Sequence, residues 1–97
     1  MIQSFGNRLT EDLYHGVSSA KVRRLPNELR EPALYKLDIL NSVGSVEELR
    51  SPPGNRLEAL KGDYAGFFSI RINSQGWRIV FRWQGGGAYE VKIVDYH

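Results

Sequence analysis

The chain has 97 residues, 41% hydrophobic and 25% charged, with a formal net charge of +2; that suits one domain over 1-97 with a single modest core and argues against disorder. It has no cysteine, and His15 and His97 show no ligand spacing, so no disulfide, no metal and no cofactor is expected. With no signal-peptide pattern and no stretch apolar enough to cross a bilayer, a cytoplasmic chain with no membrane partner is expected.

In chain order, Ile2 to Phe5 reads as a short β segment, and Asn7 as the cap of a short helix that Gly16 ends. Ser18 to Arg24 is polar and basic, a loop or a loose turn of helix. Pro26-Asn27 opens a longer helix in which Leu29, Ala33, Leu34, Leu37 and Leu40 recur at helical spacing and form one apolar face. Pro32 should kink this helix or mark its first turn. Val43-Gly44 closes it. Ser45 with Glu48 three residues on is a capping box for one further short turn.

Ser51-Pro52-Pro53-Gly54-Asn55 is a stiff loop that separates a helical half from a strand half. Strands are expected at Arg56 to Leu60, Phe67 to Asn73, Trp77 to Trp83 and Tyr89 to Tyr96. Lys61-Gly62-Asp63, Asn73-Ser74-Gln75-Gly76 and Gln84-Gly85-Gly86-Gly87 supply the turns. Connections this short imply an antiparallel meander. The fold class is therefore α+β, with N-terminal helices packed on a small twisted antiparallel sheet.

Alternation sorts the strand residues onto two faces. Phe68, Ile70 and Ile72, then Trp77, Ile79, Phe81 and Trp83, then Tyr89, Val91 and Ile93 should pack on the long helix. The second face then carries Arg71, Arg78, Arg82, Lys92 and Tyr96, with Arg56 and Lys61 at its margin. From Arg50 to Arg82 there are six cations against two anions, while the remainder holds seven against nine. A basic segment in a nearly balanced chain suggests a local site for a polyanion. Arg pairs with phosphate through two donors and Lys adds a mobile charge. Phe67 or Tyr96 can stack on a base. The competing reading is a solvated face whose Arg stems cover Val80 and Val94. His97, ending a strand, brings a group that titrates near neutrality.

The string Ser51-Pro52-Pro53-Gly54-Asn55-Arg56-Leu57-Glu58-Ala59-Leu60-Lys61-Gly62, with Ser69-Ile70-Arg71-Ile72-Asn73, Trp77-Arg78-Ile79 and the terminal Val94-Asp95-Tyr96-His97, resembles the HigB branch of the RelE/ParE toxin superfamily. The resemblance covers essentially the whole chain. It implies a toxin of a type II toxin–antitoxin system: an endoribonuclease that cuts mRNA in the A site of the translating ribosome. It further implies a HigA-like helix-turn-helix antitoxin as partner, with operator DNA bound only through that antitoxin.

By the same resemblance, Lys61, Arg78, Tyr96 and His97 fall on positions linked to catalysis or RNA contact, and Asn73 or Gln75 on a polar position before Trp77-Arg78. Some relatives carry a catalytic His where this chain has Glu58, and the turn before Trp77 has one extra residue. The expected catalytic set is thus Lys61, Arg78, Tyr96, His97 and Glu58. The expected RNA contacts are Arg56, Arg71, Asn73, Gln75, Arg82 and Lys92. Proton abstraction falls to His97, Glu58 or Lys61. Superfamily members that poison DNA gyrase, and a non-catalytic RNA- or antitoxin-binding module, are the alternatives.

Overall fold

A computed structural model describes residues 1–51 and 53–95. The elements run α1 (Arg8–Tyr14), α2 (Ala20–Arg23), α3 (Asn27–Ser42), β1 (Glu58–Ala59), β2 (Phe67–Arg71), β3 (Trp77–Gln84) and β4 (Gly87–Asp95). Single 3₁₀ turns occupy Val46–Arg50, Pro53–Asn55 and Gly62–Tyr64. Helices therefore precede one four-stranded antiparallel sheet in the order β1-β2-β3-β4, the α+β class expected from the sequence.

The helix boundaries have local causes. The Asn7 side chain accepts from the Thr10 N–H at 2.9 Å and opens α1; Gly16, at φ +74°, follows its end. Ser19 caps α2 in the same way, turning the basic 18–24 segment into one turn of helix. Helix α3 starts after Pro26 and runs on through Pro32, so Pro32 does not mark its first turn. The Ser45–Glu48 capping box is present.

Leu29, Ala33, Leu37 and Leu40 of α3 form one buried cluster with Ile70, Ile72, Ile79, Phe81, Val91 and Ile93 of the sheet half. Trp77 and Trp83 pack against it partly buried. Such removal of apolar area from water is the main favourable term in folding.

The Ile2–Phe5 segment pairs in parallel with the outer edge of β4, at Ile2↔Ala88 and Phe5↔Val91. Gly6 continues the contact: a Cβ there would lie 2.7 Å from the Glu90 carbonyl oxygen. Buried Thr10 accepts the next β4 donor, the Ile93 N–H, at 2.8 Å. An edge so covered is no template for another strand.

Two expectations are corrected. The strand expected at Arg56 to Leu60 shrinks to Glu58–Ala59, because Arg56 takes φ +46° and turns the chain out of extension. Tyr89 does not share the face of Val91 and Ile93. It pairs with Arg82, while Val80 pairs with Lys92, so Phe81 alone faces Glu90 and Val91. Glu90, at φ +53°, is the extra residue of this β-bulge. The bulge flips Tyr89 to the basic face. By contrast, Gly85 and Gly86 at φ +56° and +81° make the two-residue turn joining β3 to β4.

Candidate active site

The second face of the sheet opens into a cleft of about 370 Å³ lined by Arg56, Glu58, Arg71, Asn73 and Arg78, with Ser74 and Gly76. A shallower depression over Pro53, Gly54 and Leu57 adjoins it and shares Arg56, Glu58 and Arg71. Sheet register creates this meeting. Arg71 and Arg78 are direct cross-strand partners, and like charges placed opposite each other repel. A dianionic or anionic ligand between them relieves that repulsion.

Arg78 is held most firmly. Its side chain is only 12% exposed. Its Nε donates to Ser69 Oγ at 2.9 Å and its Nη2 to the Arg56 carbonyl at 2.7 Å. A guanidinium has five donors, so others remain for the cleft. Glu58 Oε1 lies 3.7 Å from Arg78 Nη2, with its own side chain 57% exposed. A carboxylate in water's reach beside a fixed cation can accept a proton from a hydroxyl held there. Arg71 Nε donates to the Asn73 carbonyl at 2.9 Å.

The Arg56 carbonyl reaches Arg78 because the preceding turn is anchored from below. Asn55 is fully buried. Its Nδ2 donates to the Leu49 carbonyl at 3.1 Å and its Oδ1 accepts from Lys36 Nζ. Partial burial of the Lys36 ammonium lowers its pKa from the usual lysine value. The chain of contacts therefore runs from α3 through Asn55 and Arg56 to Arg78.

Asn73 lines the cleft and builds its rim: its Oδ1 accepts from the N–H groups of Gln75 at 3.0 Å and Trp77 at 3.4 Å. Gln75 is exposed and outside the cleft lining. Lys61 sits exposed before the Gly62–Tyr64 turn and is likewise outside that lining. Arg82 and Lys92 occupy the far end of the same face. There Arg82 pairs with Glu90 at 3.6 Å and lies 5.3 Å above the Phe67 ring centroid, and Lys92 Nζ lies 5.1 Å from that of Tyr64. Tyr96 and His97 lie outside the described residues, as does Pro52.

Sequence reasoning missed Asn55 and Ser69 as supports of Arg78. Ser69 carried a signal, since alternation puts it on the face of Arg71. Asn55 carried none beyond its place in a stiff loop.

A family model for the RelE-like toxin of type II toxin–antitoxin system HigB matches residues 3–97. The chain belongs to this family. It is 35% identical to Toxin HigB-1 of Vibrio cholerae over 97 residues, which is 100% of this chain and 98% of that one. It is 29% identical to Endoribonuclease HigB of Proteus vulgaris over 102 residues, covering both chains in full. The YoeB/ParE toxin from Agrobacterium tumefaciens superposes over 99% of both chains with a TM-score of 0.48 and 20% identity. A toxin of a type II system has an antitoxin as its partner.

Proposed function

We propose that this toxin is an endoribonuclease that cuts mRNA on translating ribosomes, in the cytoplasm, as one domain spanning 1-97. The observation that carries the reading is the convergence of Arg56, Arg71 and Arg78 on one cleft with the Glu58 carboxylate 3.7 Å from Arg78 Nη2. The Proteus vulgaris relative, named an endoribonuclease, supports the reaction class.

The chemistry has three requirements: a base for the ribose 2′-hydroxyl proton, donors for the charge gathering on the phosphate oxygens, and a proton for the departing 5′-oxygen. In this reading the 2′-oxygen attacks phosphorus, the bond to the 5′-oxygen breaks, and a 2′,3′-cyclic phosphate is left. Arg78 and Arg71 stabilise the phosphate; Arg78 is preorganised by Ser69 and the Arg56 carbonyl, so little reorganisation is needed as charge develops. Glu58 is the base that the cleft presents, with His97 and Lys61 as the other candidates. Tyr96, next in sequence after Asp95, positions the nucleotide or donates a proton. A HigA-like helix-turn-helix antitoxin restrains the toxin and carries it to operator DNA.

Primer extension on a reporter mRNA in a purified translation system, with and without ribosomes, tests this reading. The native chain should cut only with ribosomes present, and Arg78→Ala and His97→Ala should remove the cuts. Full cleavage by Arg78→Ala would overturn the cleft reading, and full cleavage by both variants, or translation that runs uncut with the native chain, would overturn the nuclease reading as a whole.

A further inference from the structure

The far end of the basic face carries a second cluster, distinct from the cleft. Tyr64 stands on the 3₁₀ turn Gly62–Tyr64, in the connection between β1 and β2, and is 41% exposed. Its ring meets the edge of Phe67 at a centroid distance of 5.5 Å and an angle of 90°. Lys92 Nζ lies over the Tyr64 ring and the Arg82 guanidinium over the Phe67 ring. Register explains the assembly: Phe67 is the direct partner of Arg82, and Lys92 that of Val80.

We propose that Tyr64, with Phe67, Arg82 and Lys92, is a stacking subsite for a nucleotide of single-stranded RNA lying outside the scissile position. The inference rests on the endoribonuclease reading of the cleft. Part of the cluster is structural: it flanks Val80 and Ser69, which are buried although they face away from the helices. That role does not account for Tyr64, which lies outside the hydrophobic core and its packed shell and keeps a large aromatic surface in water.

Exposed aromatic rings beside cations are what sequence-tolerant single-strand sites use, because every base has a π-face and every nucleotide a phosphate. The Arg82–Glu90 pair joins two side chains that are each about half exposed, so exchanging Glu90 for a phosphate costs little. Arg78 and Arg82 are four residues apart on β3, about 13 Å at the rise of a strand. A strand whose scissile phosphate sits between Arg71 and Arg78 therefore reaches the Tyr64 end of the face with a nucleotide further along the chain rather than with the adjacent one. Lys61 directly precedes the turn that holds Tyr64.

The test is fluorescence anisotropy with a labelled 2′-O-methyl octanucleotide, which cannot be cut, on the native chain, Tyr64→Ala, Tyr64→Phe and Lys92→Gln. Thermal midpoints check folding of each. Tyr64→Ala is expected to weaken binding about tenfold, within the range for one lost base stack, and Tyr64→Phe to bind within about twofold of native, since the ring and not the hydroxyl does the stacking. Lys92→Gln should weaken binding and flatten its salt dependence. Native affinity in Tyr64→Ala, equal losses in the Phe and Ala variants, or no saturable binding by the native chain would each overturn the subsite. So would a Tyr64→Ala variant that loses affinity for the antitoxin while binding RNA as the native chain does. The ribosome cleavage assay on Arg78→Ala separates the two claims: if that variant still cuts, the cleft reading fails whatever the Tyr64 result.

Discussion

In the proposed reaction, Glu58 is the base that the cleft offers. Its carboxylate faces Arg78 from 3.7 Å, and its side chain is 57% exposed to water. If it removes the 2′-hydroxyl proton, Glu58→Gln should lower single-turnover cleavage by about 10²–10⁴-fold, the usual worth of a positioned base. The same change removes a negative charge from the cleft, so RNA affinity should hold or rise. A variant that binds better and cuts as fast as the native chain would assign proton abstraction to His97 or Lys61 instead. Arg56 makes a second residue-scale argument. A non-glycine at φ +46° costs roughly 1–2 kcal/mol, and strain of this kind persists where the surrounding structure over-determines it, here through buried Asn55 and the Arg56 carbonyl held by Arg78. Arg56→Gly should raise stability by about 0.5–1 kcal/mol, after allowing for the entropy of glycine, and should lower cleavage because a cleft cation is gone. Denaturant midpoints and single-turnover rates on the same preparation check both signs.

Among the elements, the buried link between α3 and the 53–56 turn joins stability to activity. The Lys36 ammonium bonds Asn55, yet its pKa is lowered by desolvation. Below the folded pKa both states carry the proton, and the folded state bears the penalty of a partly desolvated charge. As pH rises from the folded value towards the ordinary 10.5, the unfolded chain holds more protons than the folded one, so stability rises with pH in that window. Lys36→Met should remove this increment. Unfolding midpoints taken from pH 7 upward should therefore climb for the native chain relative to the variant, and parallel curves would refute it. How far the sequence foretold these elements depends on whether a local pattern existed. The caps at Asn7 and Ser45, the apolar face of α3 and the 85–86 turn each rest on a local residue pattern with a known geometric use, and they appear as read. The β4 bulge does not, because a Glu at φ +53° has no sequence signature and only the closure of the β3–β4 ladder demands it. Arg56 at positive φ shortened β1 for the same reason. The cleft was partly legible: alternation brought Arg71, Arg78, Arg82 and Lys92 to one face, but only the register shows that the first two share a cleft and the others lie beyond it.

On the scale of the whole molecule, the net charge of +2 is too small to hold RNA by itself, so affinity must come from where the cations sit. Each phosphate neutralised on a single strand contributes about −0.7 to the slope of log affinity against log salt. Arg56, Arg71, Arg78 and Arg82 with Lys92, all on one face, would give a slope near −3 to −3.5 if four or five phosphates are met. Removing a charge from that face should then differ from removing one elsewhere, although both lower the net charge equally. Arg71→Ala and Arg82→Ala should each flatten the slope by about 0.7. Arg24, exposed at the end of α2 beside the apolar depression over Leu9, Leu25 and Trp77, lies outside the basic face. Arg24→Ala should leave the slope unchanged. Anisotropy titrations of an uncleavable RNA between 50 and 200 mM salt, a span over which such slopes are resolved, make the comparison. If all three variants flatten the slope alike, binding is a property of total charge, and the sheet face loses its claim as the RNA track.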